Sequence, residues 1–214
     1  MPGRDEAKDS KRLRILAAAY AECERVGVAR ARMEDVAARA QVSKGTLYNY
    51  FESKQHLLLA TILDSYEQFL PLVEAPVLNG IAPLEHLESY LDGLVKVLGE
   101  VAPRMNVHYQ AWGLVAADAG LKQRLYGFLS DFHEARDRSL EAIVRAGQEQ
   151  RVFRADADVA AISDGVQALL SGFLYRAAFH PERARASALR RSFDALVIAP
   201  LVHPPLPDTG QKHD

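Results

Sequence analysis

The chain has 214 residues, 49% of them hydrophobic and 25% charged, with a formal net charge of −2 at pH 7. This length allows one or two domains with a buried core, and the apolar fraction excludes an intrinsically disordered chain. A single cysteine excludes an internal disulfide framework and a zinc finger. The polar N-terminus and the short apolar runs predict a cytoplasmic protein without a secretion signal or membrane span.

The low net charge conceals a difference between two parts of the chain. Residues 1–55 carry eleven basic and eight acidic side chains, so this part is net basic and the remainder is net acidic. The overall charge therefore does not exclude a nucleic-acid partner for the N-terminal part.

Apolar residues recur at helical spacing from the N-terminal part onward. A first helix is expected over residues 11–26, with Gly27 at the position where a helix is commonly followed by glycine. A second helix covers residues 33–40, and Ser43 and Ser53 are suitable N-caps for a third and a fourth.

The rest of the chain continues the helical pattern. A loop with proline and an Asn-Gly pair is expected over residues 71–80. Five further helices are expected at about 84–103, 105–120, 121–150, 156–179 and 182–199. The predicted fold class is all-α with about nine helices. The predicted domains are a helix-turn-helix DNA-binding head (1–52), a helical ligand-binding and dimerisation domain (53–202) and a disordered tail (203–214).

Residues 33–51 have the spacing of a helix-turn-helix unit. Val36, Val42 and Leu47 would form its internal apolar seam, and Ala37 is small where the two helices cross. Ser43 caps the second helix of this unit, which is the third helix of the chain, and the N-terminus of that helix then faces outward. The outward side chains mix uncharged hydrogen-bonding groups with one cation, which suits phosphate oxygens and base edges in a major groove. These residues are Lys44, Gly45, Thr46, Tyr48, Asn49 and Tyr50.

The segment S-K-G-T-L-Y-N-Y-F-E-S-K-Q-H-L-L resembles the DNA-binding signature of the TetR (tetracycline-repressor-type) transcriptional regulators. The preceding R-I-L-A-A-A-Y and M-E-D-V-A-A-R-A resemble that family's first two helices, so the similarity covers residues 10–60. The resemblance implies DNA contacts by Arg32, Ser43, Lys44, Gly45, Thr46, Tyr48, Asn49, Tyr50 and Lys54, with Lys54 against phosphate.

Two positions depart from the family pattern. Arg32 stands where the family often has a capping Ser or Thr, so the second helix is expected to begin without a hydroxyl cap. Gln41 stands where the family often has glycine, so a non-glycine residue is expected to accept a positive φ in the turn.

The segment 156–179 is apolar around most of its helical circumference. A stripe of small residues runs beside a stripe of large ones, which predicts burial on two sides. We expect the large stripe to pack on its own domain and the small stripe to meet a second subunit. The alternative is a central helix of a monomer. The predicted homodimer interface is Ala161, Gly165, Ala168, Gly172, Leu189, Phe193, Leu196 and Val197.

The family resemblance also implies an inducer pocket in the C-terminal domain. Aromatic and sulfur-containing side chains favour an apolar or aromatic effector, although an ordinary hydrophobic core explains each of them as well. The candidate residues are Met105, His108, Tyr109, Trp112, Phe128, Phe132, Tyr175 and Arg176.

No motif for catalysis or for a cofactor is found. His133 and Glu134 begin like the zinc motif H-E-x-x-H, but Asp137 replaces the second histidine, so no metal site is expected. The sequence predicts a homodimeric, sequence-specific DNA-binding repressor that a small-molecule effector releases from a palindromic operator. The alternatives are a DNA-binding regulator controlled by a protein partner and an all-α ligand carrier or enzyme with a vestigial DNA head.

Overall fold

A computed structural model describes residues 2–67, 69–73 and 80–202. The predicted disordered tail, 203–214, and most of the predicted loop at 71–80 lie outside the described residues.

The described residues form only helices and their connections, which confirms the all-α fold class, and the helix count is close to the nine predicted. No helix among them is both long enough and apolar enough to cross a membrane. The helices are α1 (Pro2–Val26), α2 (Met33–Arg39), α3 (Lys44–Tyr50), α4 (Lys54–Glu67), α5 (Leu70–Val73), α6 (Pro83–Val101), α7 (Met105–Ala116), α8 (Ala119–Glu149), α9 (Val159–Phe179), α10 (Ala186–Phe193) and α11 (Ala199–Val202).

Side-chain caps determine where the long C-terminal helices begin. Asp118 accepts a hydrogen bond from Leu121 N at 2.9 Å, and α8 starts directly after it. Asp158 likewise accepts from Ala160 N and Ala161 N at 3.0 and 3.2 Å, so α9 starts three residues later than expected.

The C-terminal segment is not the single helix predicted over 182–199. A 3-10 turn at Pro181–Arg183 comes first, and Arg185 then adopts an extended backbone. Helix α10 therefore begins anew at Ala186, and a π-helical turn, Asp194–Ile198, separates it from α11.

The N-terminal helices pack around their own apolar cluster, which includes Ile15, Leu16, Val36, Ala37 and Leu47. All five are buried, so α1, α2, α3 and the start of α4 form a packed head.

The turn between α2 and α3 has the strained residue that the sequence predicts. Gln41 has a φ of +55°, and Val42 N donates to Ala37 O at 3.0 Å. Gly27, after α1, has a φ of +84°, which glycine adopts without strain.

A second cluster joins the head to the rest of the chain. Cys23 of α1 and Val28 of the following loop pack with Ile62 of α4, Ala111 of α7 and Leu125 of α8. A third, larger cluster contains side chains of α6, α8, α9 and α10. Helices α4 and α7 therefore lie between the head and the C-terminal helices.

Candidate DNA-binding surface and effector cavity

The N-terminus of α3 is capped and exposed. Ser43 Oγ accepts a hydrogen bond from Thr46 N at 3.0 Å and lies 2.8 Å from Thr46 Oγ1. A capped helix N-terminus carries partial positive charge and attracts phosphate. Ser43, Lys44 and Gly45 are exposed, and a Cβ at Gly45 would meet only Ser43 Oγ, at 4.0 Å. A nucleic-acid backbone can therefore approach this turn closely.

The outward face of α3 carries the predicted base-contacting residues. Tyr48 is 40% exposed and Asn49 is also exposed, whereas Leu47 on the other face is fully buried. Tyr50 is half-buried, with its ring centroid 6.3 Å from that of Phe51. Lys44 Nζ lies 5.9 Å from the centre of the Tyr48 ring, so a cation and an aromatic ring sit side by side on this face.

The two predicted phosphate lysines have different surroundings. Lys44 Nζ lies 2.6 Å from Glu34 Oε1 of α2, and the hydrogen bond to Glu34 raises the pKa of Lys44. Lys54 is half-buried and its Nζ donates to Ala29 O at 3.0 Å. Lys54 therefore also ties the start of α4 to the loop after α1.

The start of α2 lacks a side-chain cap, as the sequence predicts. Arg32 occupies the N-cap position with φ −110° and ψ 148°, and its side chain makes no capping hydrogen bond. The Arg32 side chain is exposed to solvent.

A buried carboxylate fixes α1 against α2. The Glu22 side chain is only 2% exposed, with Oε1 2.6 Å from Arg25 Nη2 and Oε2 3.1 Å from Arg39 Nη2. The hydrogen bond from Arg25 lowers the pKa of Glu22. Burial acts to raise this pKa, but the hydrogen bond from Arg39 also lowers it, and the net shift is downward.

A cavity of about 410 Å³ lies among the helices after α3, within the range of roughly 300–1,000 Å³ typical of small-molecule sites. Helices α4, α6, α7, α8 and α9 supply most of its lining. Apart from the Tyr and Trp side chains, six lining side chains are charged or can form hydrogen bonds: Ser65, His108, His133, Arg136, Gln167 and Ser171. The remaining lining is formed by Ile62, Tyr66, Phe69, Leu94, Leu98, Val101, Met105, Tyr109, Trp112, Gly113, Leu129, Phe132, Leu170 and Leu174.

The structure places the predicted ligand-binding residues in two groups. Phe128 packs behind the lining, with its ring centroid 6.4 Å from that of Phe132. Tyr175 and Arg176 are exposed on α9 outside the lining, and the Tyr175 ring lies 4.9 Å from that of Phe179. The candidates that line the cavity are Met105, His108, Tyr109, Trp112 and Phe132.

Sequence reasoning missed the lining residues of α4, α6 and α9 and the polar pair His133 and Arg136. The i, i+3 spacing of that pair places both side chains on one face of α8, which is a signal present in the sequence. The incomplete zinc motif that contains them does not point to a cavity. No group of three or more possible metal ligands occurs among the described residues.

His108 is buried and uncharged at neutral pH. Its side chain is 2% exposed, and burial, with a smaller contribution from Arg104, lowers its pKa to about 4. Its Nε2 lies 3.1 Å from Ser65 Oγ, whereas its buried Nδ1 has no hydrogen-bond partner among the described residues.

The cation of the cavity is neutralised within the protein. Arg136 is 4% exposed, and its Nε and Nη2 donate to Asp137 Oδ1 at 3.2 and 2.6 Å. Ser163 Oγ donates to the same oxygen at 2.7 Å. Burial acts to raise the pKa of Asp137, but the hydrogen bonds from Ser163 and Arg136 outweigh it and lower the pKa. Asp137 is therefore a carboxylate that balances the guanidinium charge.

Helix α7 contacts both the cavity and the head. Gln110 Oε1 accepts a hydrogen bond from Val28 N at 3.4 Å, and His108, Tyr109 and Trp112 on neighbouring positions line the cavity. Just before α7, Pro103 O accepts a hydrogen bond from Tyr20 OH of α1 at 3.3 Å. A change at the cavity wall therefore has a short structural route to the head.

The predicted interface residues are also divided by burial. Ala161, Gly165 and Ala168 are exposed, Gly172 is half-buried, and a Cβ at Gly165 would have no neighbour within 4 Å. Leu196 is 65% exposed. The remaining three pack in the core of their own chain: Leu189, Phe193 and Val197.

Two family models match the chain. Residues 15–61 match the model described as bacterial regulatory proteins, tetR family. Residues 83–199, more than half of the chain, match the model described as BetI-type transcriptional repressor, C-terminal.

Curated relatives support the same family. The HTH-type transcriptional repressor KstR of Mycolicibacterium smegmatis is 38% identical over 93 residues, which are 44% of this chain and 46% of that protein. KstR of Rhodococcus jostii is 35% identical over 92 residues, 43% and 42% of the two chains. The chain thus matches less than half the length of these curated relatives.

Solved structures show the same fold over nearly the whole chain. The TetR-family regulator PfmR of Thermus thermophilus has a TM-score of 0.67 at 24% identity and covers 86% of this chain and 97% of its own. A TetR regulator of Haloarcula marismortui has a TM-score of 0.73 at 20% identity, covering 90% and 99%. FadR of Bacillus subtilis, in complex with stearoyl-CoA, has a TM-score of 0.66 at 18% identity, covering 88% and 98%. The chain belongs to the TetR family of bacterial regulatory proteins, with a C-terminal domain of the BetI type.

Proposed function

We propose that the protein is a homodimeric transcriptional repressor that a small apolar molecule releases from a palindromic DNA operator. The observation that carries the proposal is that α4 and α7 each contribute to the cavity and contact the helix-turn-helix head. The relatives named as HTH-type transcriptional repressors support this assignment for the head.

The exposed turn and face of α3 would bind DNA. Lys44 and Arg32 would neutralise phosphates, and Tyr48 and Asn49 would contact base edges in the major groove. The remaining proposed contacts of this surface are Ser43, Gly45, Thr46, Tyr50 and Lys54.

A two-fold dimer would present two such surfaces to the DNA. We propose that the small-residue stripe of α9 and the exposed Leu196 form its interface, because this face leaves room for close approach. The two recognition helices would then reach half-sites roughly 34–36 Å apart, or a multiple of this distance.

Effector binding would alter DNA affinity through α4 and α7. An occupant stabilises the arrangement of these helices that best encloses it, and it lowers DNA affinity if the DNA-bound head requires another arrangement. FadR in complex with stearoyl-CoA, a ligand with a long apolar acyl chain, supports an occupant with an apolar part for a domain of this fold. The cavity volume favours a small molecule over the alternative of control by a protein partner.

The enzyme alternative has less support. It would need acid–base or metal groups that converge on a substrate in the cavity, and the guanidinium that lines the cavity, that of Arg136, is held by Asp137. A carrier would bind a ligand in the same cavity, but it would not need the exposed surface of α3 on the head.

Selection of bound DNA from a random pool tests the proposal. We expect enrichment of a palindrome by the wild-type protein, and a relaxed preference at defined base pairs for Tyr48→Ala or Asn49→Ala. Leu114→Ala, on an exposed position of α7 outside the proposed DNA-binding surface, is a control that should recover the wild-type sequence. Absence of any enrichment would contradict the assignment.

A further inference from the structure

The wall of the effector cavity contains the free edge of a buried cation. Arg136 lines the cavity and is 4% exposed. Its Nε and Nη2 donate to Asp137 Oδ1, whereas Nη1 makes no hydrogen bond to the described residues. Nη1 also keeps surface accessible to water, because the fully buried side-chain atoms without a partner, in the described part of the chain, are Tyr90 Oη and His108 Nδ1. Two N–H donors of a buried guanidinium are therefore open to an occupant of the cavity.

The counter-ion of Arg136 lies outside the lining. Asp137 balances the charge of the guanidinium, but its side chain is 46% exposed and is not part of the cavity wall. Water screens the charge of such a carboxylate far more than that of a buried guanidinium. No Asp or Glu occurs among the described residues that line the cavity. An occupant therefore contacts the positive partner of this ion pair without contacting the negative one.

His133 indicates the sign of the charge at this part of the wall. It lies one turn before Arg136 on α8 and also lines the cavity. Burial lowers the pKa of His133 most, Arg136 lowers it further, and Asp137 raises it by less than Arg136 lowers it. The guanidinium therefore outweighs its carboxylate at a lining residue. The lowered pKa also leaves the His133 ring uncharged at neutral pH, so Arg136 is the cation that the described wall presents.

The position of this cation along α9 gives the cavity one polar end. Ser163 of α9 donates at 2.7 Å to Oδ1 of Asp137, the carboxylate that holds Arg136. Gln167, one turn later on the same face of α9, lines the cavity. Arg136 and Gln167 therefore lie near the contact between α8 and α9. Helices α4, α6 and α7 supply mostly aliphatic and aromatic side chains to the lining. The cavity thus fits a molecule with one anionic group and an apolar body.

We propose that the effector is a carboxylic acid with an apolar body, and that Arg136 Nη1 donates to its carboxylate while the body fills the rest of the cavity. The inference rests on the proposed function, in which this cavity is the effector site. Burying a carboxylate is costly unless it is paired, and the guanidinium supplies the pair through hydrogen bonds that are stronger than those between neutral groups. A cationic ligand would meet the guanidinium with like charge. Arg136 is thereby the residue that determines which head group is accepted.

Head-group preference is measured through Trp112, the single tryptophan of the chain, which lines the cavity and reports occupancy by its fluorescence. The probes are decanoate, methyl decanoate and 1-decanol, which share an unbranched apolar chain and differ in the head group. We expect decanoate to bind at least about tenfold more tightly than either neutral probe at about pH 7, where the acid is ionised. Equal or tighter binding of a neutral probe, or no response to decanoate, would overturn the proposal.

Two variants assign the preference to Arg136. Arg136→Met removes the donors but keeps an unbranched side chain, so the ratio between decanoate and methyl decanoate should fall to near one. Asp137→Asn keeps the guanidinium and removes its counter-ion, so decanoate should bind at least about threefold more tightly while methyl decanoate is unaffected. A merely structural role of Asp137 would weaken both probes. An unchanged ratio in Arg136→Met, or in Asp137→Asn if Arg136→Met does not fold, would overturn the proposal.

Asp131→Asn is the matched control, because it makes the same change of charge as Asp137→Asn on an exposed position of α8 outside the lining. It should retain the wild-type ratio, and a gain equal to that of Asp137→Asn would overturn the assignment to Arg136. Operator binding by the ligand-free protein tests the proposed function separately. Loss of the head-group preference with operator binding intact would contradict the ligand class alone, whereas absence of operator binding would contradict the proposed function.

Discussion

Lys44 Nζ, in the first turn of α3, lies 2.6 Å from Glu34 Oε1, in the first turn of α2. Both side chains are more than half exposed, and their hydrogen bond raises the pKa of Lys44 and lowers that of Glu34. The cation proposed for phosphate therefore has an acidic partner in the DNA-free protein. Binding to DNA requires that Lys44 exchange this carboxylate for a phosphate.

We predict that Glu34→Gln raises operator affinity by about twofold to fivefold at low salt, since an exposed ion pair is weak and its loss frees Lys44. Fluorescence anisotropy with labelled operator measures the change. Glu24→Gln makes the same change of charge on an exposed position of α1, outside the ion pair with Lys44. An equal gain in this control would show that net charge, and not the ion pair, controls affinity.

The two lysines of the head should behave differently when each is replaced by alanine. Lys44→Ala should lower the slope of log affinity against log salt by about one unit and leave Tm unchanged. Lys54→Ala should also lower Tm, by about 2–4 °C, because Lys54 Nζ donates to Ala29 O and ties α4 to the loop after α1. Salt titrations and thermal melts measure both effects. A full salt slope in Lys44→Ala would contradict the phosphate assignment.

The helix-turn-helix head is predictable because its signals are local. Ser43 is an N-cap whose side chain accepts a hydrogen bond from the backbone N–H three residues later. Gln41 lies in the short turn between α2 and α3, and the turn places this residue at a positive φ. Periodicity then identifies which side chains of α2 and α3 are buried. These features depend on neighbours within one or two turns of the chain, so the sequence contains the information needed to predict them.

The cavity is not predictable in the same way. Periodicity indicates that Met105 and Phe132 face inward, but a void arises only from how five helices pack, and no pattern marks it. Leu189 and Phe193, which pack in the core of their own chain, illustrate the same limit. The sequence pattern alone does not distinguish an apolar residue of such a core from one that packs against a partner subunit. The hydrogen bond between Ser65 and His108 joins residues 43 positions apart, so only the structure shows it.

The proposed dimer interface predicts the effect of one substitution. Gly165→Arg should fill the exposed stripe of α9 and convert the dimer to a monomer without unfolding it, because a Cβ there meets nothing within 4 Å of its own chain. Light scattering measures the mass. Gly99→Arg is a matched control on α6, also an exposed helical glycine with open space, and should remain dimeric. A monomeric wild-type protein, or an unchanged mass in Gly165→Arg, would contradict the interface.

Gln110 provides a test of how the cavity and the head are coupled. Gln110→Leu removes the acceptor of Val28 N while the cavity lining is kept. We use 1-decanol as a small apolar probe of the cavity and the fluorescence of Trp112, which lines the cavity, as the reporter of its binding. In Gln110→Leu we expect 1-decanol still to change this fluorescence but to weaken operator binding at least about fivefold less than in the wild type. Asn106→Ala is the control, because Asn106 Oδ1 accepts from Gln110 Nε2 at 3.0 Å and its removal leaves the acceptor of Val28 N in place. Unaltered release in Gln110→Leu would show that another contact transmits the signal.

Glu22 predicts how the stability of the head depends on pH. The hydrogen bond from Arg25 lowers its pKa. Burial acts to raise this pKa, and the hydrogen bond from Arg39 lowers it further, so that the net shift is downward. A carboxyl group whose pKa is lower in the folded state stabilises the protein above its unfolded pKa, and this contribution is lost as the pH falls through the folded value. We therefore expect the Tm of the wild type to fall as the pH drops below about 4.5, the usual glutamate value.

The substitution Glu22→Gln isolates this contribution from the other carboxyl groups of the protein. It should lower Tm by several degrees at pH 7, because Arg25 and Arg39 lose a charged acceptor, and it should flatten the acid dependence. Glu24→Gln, exposed on the same helix, should leave both unchanged. Thermal melts between about pH 3 and 7 measure the difference across the range in which the carboxyl group titrates. Parallel curves for the wild type and Glu22→Gln would mean that another carboxyl group is responsible.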